Sequence, residues 1–345
     1  MQQVGVSVLR IHFTEVDLAR LRLANAPDAL WETILSFHRL RDRRGAVVFG
    51  EWRTEVRSQL NGETRLLSAL VPSRGYFPDF LTPVRGPHGI EAGLEKLRGT
   101  PVERLRADLG RLAGFRRLPG WVVRIAEGGA AVEPLSRLIG ALRSYHRAAV
   151  DPYWLYIRAR IDADRAVRGR ALLDGGADEL LGSLPSMLRW RPPVLEADYP
   201  VERDLHLRGR GLLLQPSWFC RRTPVAYHDP GLPPVLVYPV TRTSPHAPAV
   251  AESTPSLGRL LGHTRSAVLQ AISTGCTTSE LARRAGVSLA SASQHAAVLR
   301  EAGLVVTLRH GNAVLHTVTP LGAALLRGSA QPEVPRPGRD RSPRT

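Results

Sequence analysis

The C-terminal quarter of the chain contains the pattern that most constrains the fold, a series of short helical segments separated by turn signals. Apolar residues recur at three- and four-residue spacing over 257–273, which predicts a helix. A second helix is predicted after an N-cap at Thr277 or Thr278, and a third over 289–302. The glycine-containing turn 284–288 joins these last two helices. Two short helices joined in this way predict a helix-turn-helix unit.

A β-hairpin is predicted directly after the third helix. Two strand-like segments, 304–309 and 313–318, flank a turn at 310–312 that contains Gly and Asn, and both residues tolerate the positive φ of a tight turn. A last helix begins after Thr319, which is followed by a proline suited to the first helical turn. A helix-turn-helix followed by a hairpin predicts a winged helix-turn-helix over 256–328.

The order and spacing of four short motifs resemble the winged helix-turn-helix of ArsR-type transcriptional regulators. The residues that carry the resemblance are Glu280-Leu281-Ala282, Gly286-Val287-Ser288, Ser293-Gln294-His295 and Leu299-Arg300-Glu301-Ala302-Gly303-Leu304-Val305. The rest of the chain resembles, less distinctly, long actinobacterial ArsR-like proteins whose N-terminal half has no assigned chemistry. The resemblance implies binding to double-stranded DNA as a homodimer. Repression is the expectation, although the residues themselves leave the direction of regulation open.

The exposed positions of the predicted recognition helix are the candidates for contact with bases, because one α-helix fits the major groove. These positions are Leu289, Ala290, Ser291, Ser293, Gln294 and His295. Gln294 has the amide that can pair with an adenine edge. The candidates for contact with phosphate, or with the minor groove from the hairpin, are Arg283, Arg284, Arg300, Arg309, His310 and Asn312.

The charge of the chain agrees with a polyanionic partner. The formal net charge is +16, and residues 255–328 alone contain seven arginines and two glutamates. A large positive charge favours contact with DNA phosphate. An arginine-rich composition is also typical of a high-GC genome, so the local excess of arginine in the motif is the stronger indication.

The residues give little indication of a metal site or of catalysis. Cys276 precedes the helix-turn-helix without a second thiol nearby, and His310 and His316, which could approach one another across the hairpin, make a poor site alone. Cys220 is followed by two arginines that could lower the pKa of its thiol, but no base accompanies it. We therefore expect no metal, no cofactor and no enzymatic activity.

The N-terminal part is predicted to be an α+β domain over 1–242, mostly helical with a small sheet. A Pro- and Ser-rich linker is predicted at 243–255 and a disordered tail at 329–345. Within the domain, strands are predicted at 4–13, 194–199, 205–214 and 234–240, and an ordered loop is predicted at 72–88. Helices are predicted at 14–70 with a stop and restart at Asn25-Ala26-Pro27, at 90–113, and at 134–182 with a break at Asp151-Pro152.

The size of this domain leaves its role open. It could supply dimerisation, sensing of a small-molecule effector, or both. The alternative is an enzyme or a protein-interaction module that the winged helix tethers to DNA. The chain has neither a signal-peptide pattern nor a long apolar stretch. We therefore expect a soluble cytoplasmic protein, associated with the nucleoid.

Overall fold

A computed structural model describes most of the chain and divides it into two compact units, residues 1–241 and 242–345. The described residues are 7–42, 46–60, 62–72, 75–83, 89–127, 132–240, 255–272, 275–310 and 313–328. The predicted tail at 329–345 and most of the predicted linker lie outside them. The last residue of that linker, Pro255, is the first residue of a helix, because proline fits the first helical turn.

The first unit contains helices and two small sheets. Its helices are α1 (Glu15–Ala19), α2 (Ala29–Arg41), α3 (Ala46–Gln59), α4 (Leu67–Leu70), α5 (Ile90–Arg98), α6 (Val102–Ala113), α7 (Gly120–Ala126), α8 (Val132–Ala149) and α9 (Trp154–Gly182). Short 3₁₀ turns lie at Gly62–Leu66, Asp79–Leu81 and Asp151–Tyr153. The last of these turns separates α8 from α9, as the Asp-Pro step predicts.

Helix α2 is central to the first unit. Asp28 caps its start, because the carboxylate accepts hydrogen bonds from the backbone N–H groups of Leu30 and Trp31 at 2.9 and 3.0 Å. Side chains around nearly the whole circumference of α2 are buried. Among them is Glu32, which accepts from the backbone N–H groups of Trp218 and Phe219 at 3.0 and 3.1 Å. A helix buried on all sides is a core element of its domain.

The sheets differ from the single small sheet that the sequence predicts. The strands of the first unit are β1 (Val8–His12), β2 (Arg22–Leu23), β3 (Leu188–Arg191), β4 (Val194–Asp198), β5 (Arg203–His206), β6 (Leu213–Ser217), β7 (Val225–Ala226) and β8 (Val235–Pro239). They form two four-stranded sheets, ordered β3-β4-β1-β5 and β2-β6-β8-β7. The strand β2 also interrupts the segment 14–70 that was predicted to be helical, because two residues are too few to show a periodicity.

The prediction of one strand over 205–214 is wrong, since this segment contains a turn between β5 in one sheet and β6 in the other. Gly211 makes the turn possible. Its φ is +71°, and a Cβ there would lie 2.4 Å from the carbonyl oxygen of Arg20. Its N–H donates to the buried carboxylate of Asp17 at 2.9 Å. The apolar run on either side hid this change of sheet.

The described part of the second unit is mostly helical and contains three strands. Its elements are α10 (Pro255–Leu261), α11 (His263–Ile272), β9 (Cys276–Thr277), α12 (Thr278–Ala285), α13 (Leu289–Glu301), β10 (Val305–His310), β11 (Ala313–Val318) and α14 (Pro320–Gly328). The single helix predicted over 257–273 is therefore two helices. They are separated at Gly262, whose φ of +84° ends α10.

Neither unit contains a described helix that is both long and apolar enough to cross a membrane.

Candidate nucleic-acid interface

The residues that cap α12 and α13 are the ones that the sequence indicates. Thr277 caps α12 by accepting from the N–H of Glu280 at 3.3 Å, which decides between the two candidate threonines. Gly286 follows α12 in the left-handed conformation, with a φ of +66°. Ser288 then caps α13 by accepting from the N–H of Ser291 at 3.1 Å. These two hydrogen bonds and the positive φ of Gly286 fix where α12 ends and where both helices start.

Small side chains on α13 seat it against the rest of the unit. Ala292, Ala296 and Leu299 are buried, as the helical spacing predicts. They belong to one apolar cluster with Leu281 of α12 and Val268 of α11. Alanine lets neighbouring helices approach closely, so α13 is held by its inner side and its other side is left for contact.

The six predicted base-contact positions lie at the start of α13 with unequal exposure. Leu289, Ala290, Ser293 and Gln294 are exposed, whereas Ser291 and His295 are half-buried. The hydroxyl that caps the helix belongs to Ser288 and is already engaged at its N-terminus.

Two further exposed residues continue this face, and the sequence reading did not single them out. Val298 lies one turn beyond Gln294, and Glu301 lies close to two turns beyond it. A carboxylate near the end of the helix repels phosphate, so the face suited to DNA is the first half of α13. The 3.6-residue spacing alone would have identified Val298 as the next position.

The three predicted phosphate-contacting arginines of the helices are not equivalent. The side chain of Arg283 is 79% exposed and lies 4.0 Å from Glu280. Arg284 is 32% exposed, forms a short ion pair with Glu280 and lies 3.4 Å from the carbonyl oxygen of Ala271. Arg300 is exposed at the other end of α13. Arg283 and Arg300 therefore present their guanidinium groups outward, whereas Arg284 connects α12 to α11.

The hairpin pairs β10 with β11 in antiparallel register, with Arg309 opposite Val314 and His310 opposite Ala313. The side chains of Arg309 and His310, and the whole of Asn312, lie outside the described part of the chain. Nothing is therefore stated here about where these three predicted contacts point.

His316 has a structural position in the hairpin. It lies opposite Thr307 in the register and not opposite His310. Its imidazole is buried, with Nδ1 at 3.0 Å from the hydroxyl of Thr307 and Nε2 at 3.0 Å from the hydroxyl of Thr278. His316 thus connects the hairpin to the start of α12.

The thiol of Cys276 is buried beside the helix-turn-helix, and burial raises its pKa to about 11. It is therefore protonated near neutral pH and behaves as a small apolar side chain. Among the described residues, no group of three or more His, Cys, Asp or Glu is placed to hold a metal ion.

Comparison with known families supports this geometry. Residues 263–307 match a family described as a helix-turn-helix domain. The chain carries a helix-turn-helix DNA-binding domain. The match runs from α11 through α12 and α13 to the first residues of β10, which are the elements that build and support the exposed face. No curated protein and no solved structure matches the chain.

Proposed function

We propose that this protein is an ArsR-like transcriptional repressor that binds duplex DNA as a homodimer in the cytoplasm, associated with the nucleoid. Its second unit acts as a winged helix-turn-helix, with α13 in the major groove and the β10–β11 hairpin as the wing. The single observation that carries the proposal is the exposed first half of α13. Arg283 is exposed nearby, and the opposite side of α13 packs into the buried apolar cluster. In this proposal the chain binds and releases DNA and catalyses no reaction.

The dimensions and polarity of α13 support insertion into the groove. Its 13 residues give a rod about 20 Å long, and the major groove admits one such helix. The N-terminal end carries the positive pole of the helix dipole, which favours the phosphate side of the groove. Ser293 and Gln294 supply hydrogen-bonding groups on the leading half, and Ala290 can contact a thymine methyl group.

The twofold symmetry of helix-turn-helix sites supports the proposed dimer, and the ArsR resemblance carries the proposal of a repressor. Two recognition helices related by a twofold axis read half-sites one helical turn apart, about 34 Å. A dimer bound across a promoter blocks polymerase by occupying its site. The first unit would then supply the dimer contact, the release signal, or both.

The direct test is equilibrium binding of the purified full-length protein to two duplexes at about 150 mM salt. One duplex is the region upstream of its own gene, and the other has the same composition in scrambled order. We expect at least about 10³-fold tighter binding to the first, since specific sites exceed non-specific DNA by that factor. Equal affinity for both duplexes would refute a sequence-specific regulator.

A pair of variants tests the assigned face. Gln294→Ala should lower the ratio between the two duplexes by about tenfold, because one bidentate base contact contributes that much discrimination. Arg283→Gln should weaken binding to both duplexes alike and reduce the salt dependence of binding by about one phosphate contact. Arg265→Gln, at an exposed arginine on α11, is the control and should change neither quantity. Identical behaviour of Gln294→Ala and Arg283→Gln would show that α13 is misoriented in this proposal.

A further inference from the structure

The first unit contains a cavity of about 860 Å³ that is partly open to solvent, a size typical of small-molecule sites. Its walls come from α2, from the end of α6 with the residues that follow, and from three further segments. The lining residues of these three segments are Pro72 and residues within 75–79, 199–203 and 220–228, which include the first residue of β5 and the strand β7. All of these segments belong to the unit formed by residues 1–241.

Part of the cavity lining is aromatic. Trp31 and Phe77 are buried there with their ring centroids 6.1 Å apart, and Tyr76 and Tyr199 also line the space. Phe115 lines it as well, yet its side chain is 72% exposed. Aromatic side chains that line a cavity are typical contacts for an apolar ligand.

The lining is also cationic. Five arginines and two aspartates are among the described residues that line the cavity, namely Arg39, Arg116, Arg203, Arg221, Arg222, Asp42 and Asp79. Both carboxylates already have partners. Asp42 accepts from Arg39 at 3.2 Å, and Asp79 accepts from the backbone N–H groups of His228 and Asp229 at 2.9 and 2.8 Å. The lining therefore has more positive charge than its carboxylates balance.

Two of these arginines have buried nitrogens without a hydrogen-bond partner, Nε of Arg39 and Nη1 of Arg221. A buried donor without an acceptor is unfavourable and in native proteins calls for an explanation. Burial lowers the pKa of Arg39, and the positive charge of Arg221 lowers it further, against the opposing effect of Asp42. An anion in the cavity would balance the positive charge of Arg39 and Arg221, which both line it.

The backbone beside Arg221 is strained. Arg222 has a φ of +60°, which residues other than glycine rarely adopt. The turn around it is closed by a hydrogen bond from the N–H of Thr223 to the carbonyl oxygen of Arg221 at 2.7 Å. Strain of this kind persists where the surrounding structure imposes it and clusters at ligand sites. Here it holds two consecutive arginines at the cavity wall.

We propose that this cavity binds a small organic anion in which a carboxylate or phosphate is attached to an aromatic body. The oxyanion pairs with Arg221 and Arg222, and the ring lies against Trp31, Phe77 and Phe115. Binding itself is independent of the proposed function, whereas the role of the anion as an effector that changes DNA affinity rests on it.

Binding is tested on the full-length protein without DNA, by isothermal titration calorimetry with four probes. These are 1-naphthoate, 1-naphthyl phosphate, the neutral 1-naphthylmethanol and inorganic phosphate. We expect one naphthoate or naphthyl phosphate per chain, and at least about tenfold weaker binding of the other two probes, because each lacks one of the two contacts. The better of the two aromatic anions identifies the oxyanion. Equal affinity for a probe that lacks the charge or the ring would overturn the proposal, and so would no binding of either aromatic anion at millimolar concentration.

Two variants place the site. Arg221→Gln should weaken binding of the aromatic anion by about tenfold or more, since it removes a charged donor. Arg222→Gly removes the neighbouring charge and relieves the positive φ, so its thermal stability should not fall while its affinity does. Arg170→Gln, an exposed arginine of α9 outside the cavity lining, is the matched control and should bind like the parent. Unchanged affinity in both cavity variants would overturn the assignment, and the Arg222→Gly variant keeps the test decisive if Arg221→Gln does not fold.

The effector role is measured separately, by repeating the promoter titration with the bound anion at saturation. A shift in DNA affinity of fivefold or more supports it, since allosteric couplings typically start at about that size. An anion that binds without changing DNA affinity removes the effector role and leaves the site intact. Loss of sequence-specific DNA binding would refute the proposed function without affecting the titration of the cavity.

Discussion

The two units place their arginines in opposite environments. In the second unit Arg283 and Arg300 lie on the surface, and the described core behind them is apolar. In the first unit Arg39 and Arg221 line a cavity and have buried nitrogens without acceptors. Exposed cations suit an extended polyanion, whose contacts weaken with salt, whereas partly buried cations suit one small anion that replaces solvent. In the two proposals the same residue type serves two kinds of recognition, and its burial distinguishes them.

The largest change in stability is expected for a substitution in the apolar core of the second unit. Leu281 is fully buried between the helices, so Leu281→Ala should lower the free energy of unfolding of this unit by about 3 kcal/mol. Urea denaturation followed by amide exchange of α11 to α13 measures the loss. The control is Leu260→Ala, at a largely exposed leucine, for which about 0.5 kcal/mol or less is expected. A small effect of Leu281→Ala would show that the buried apolar cluster does not stabilise this unit.

The first unit should respond to pH through two buried groups with opposite effects. Burial raises the pKa of Glu32 to about 7, so its contribution to stability falls as the pH rises from about 4.5 to 7. Burial lowers the pKa of His146 to about 4, so its contribution is lost as the pH falls from about 6.5 to 4. Each group changes the slope of stability against pH by about 1.4 kcal/mol per unit within its window.

Variants separate these opposite slopes. Relative to the parent, Glu32→Gln should make stability rise more steeply with pH between about 5 and 6.5, and His146→Gln should make it fall more steeply over the same range. Urea denaturation of the first unit at half-unit pH steps gives both slopes. If the two variants shift the slope in the same direction, the charge states assigned to the folded protein are wrong.

A smaller effect is expected at the start of α13. Ser288→Ala removes the side chain that caps the helix and should lower the stability of the second unit by about 1 kcal/mol. Ser293→Ala, at an exposed position inside the same helix, should have no destabilising effect, because alanine is the better helix former. Equal losses in the two variants would show that the cap does not fix the start of the helix.

The smallest effect on stability is expected for the outward arginines. Arg283→Gln and Arg300→Gln should change the free energy of unfolding by about 0.5 kcal/mol or less, because exposed ion pairs contribute little. Denaturation of the second unit checks this directly. A loss of more than about 1 kcal/mol from either variant would mean that these arginines stabilise the fold, and the contrast between the two units would fail.

Local signals made the second unit readable from the sequence. Gly286 and Ser288 mark the end of one helix and the start of the next, and Ala292 and Ala296 fall on the buried side by spacing alone. The break at Gly262 was missed because the apolar pattern continues through it. The engagement of Arg284 by Glu280 could have been suspected, since residues four apart on a helix are neighbours.

The sequence by itself determined the helix-turn-helix, because its caps, turn and buried positions depend on residues close together in the chain. Only the tertiary structure decided the sheets and the cavity of the first unit. The change of sheet at Gly211 depends on the backbone of Arg20, nearly two hundred residues away, and the cavity brings α2 beside the loop at 220–223. Burial of Arg39 and Arg221 likewise results from packing between distant segments, and no local pattern in a chain this rich in arginine distinguishes them from surface residues.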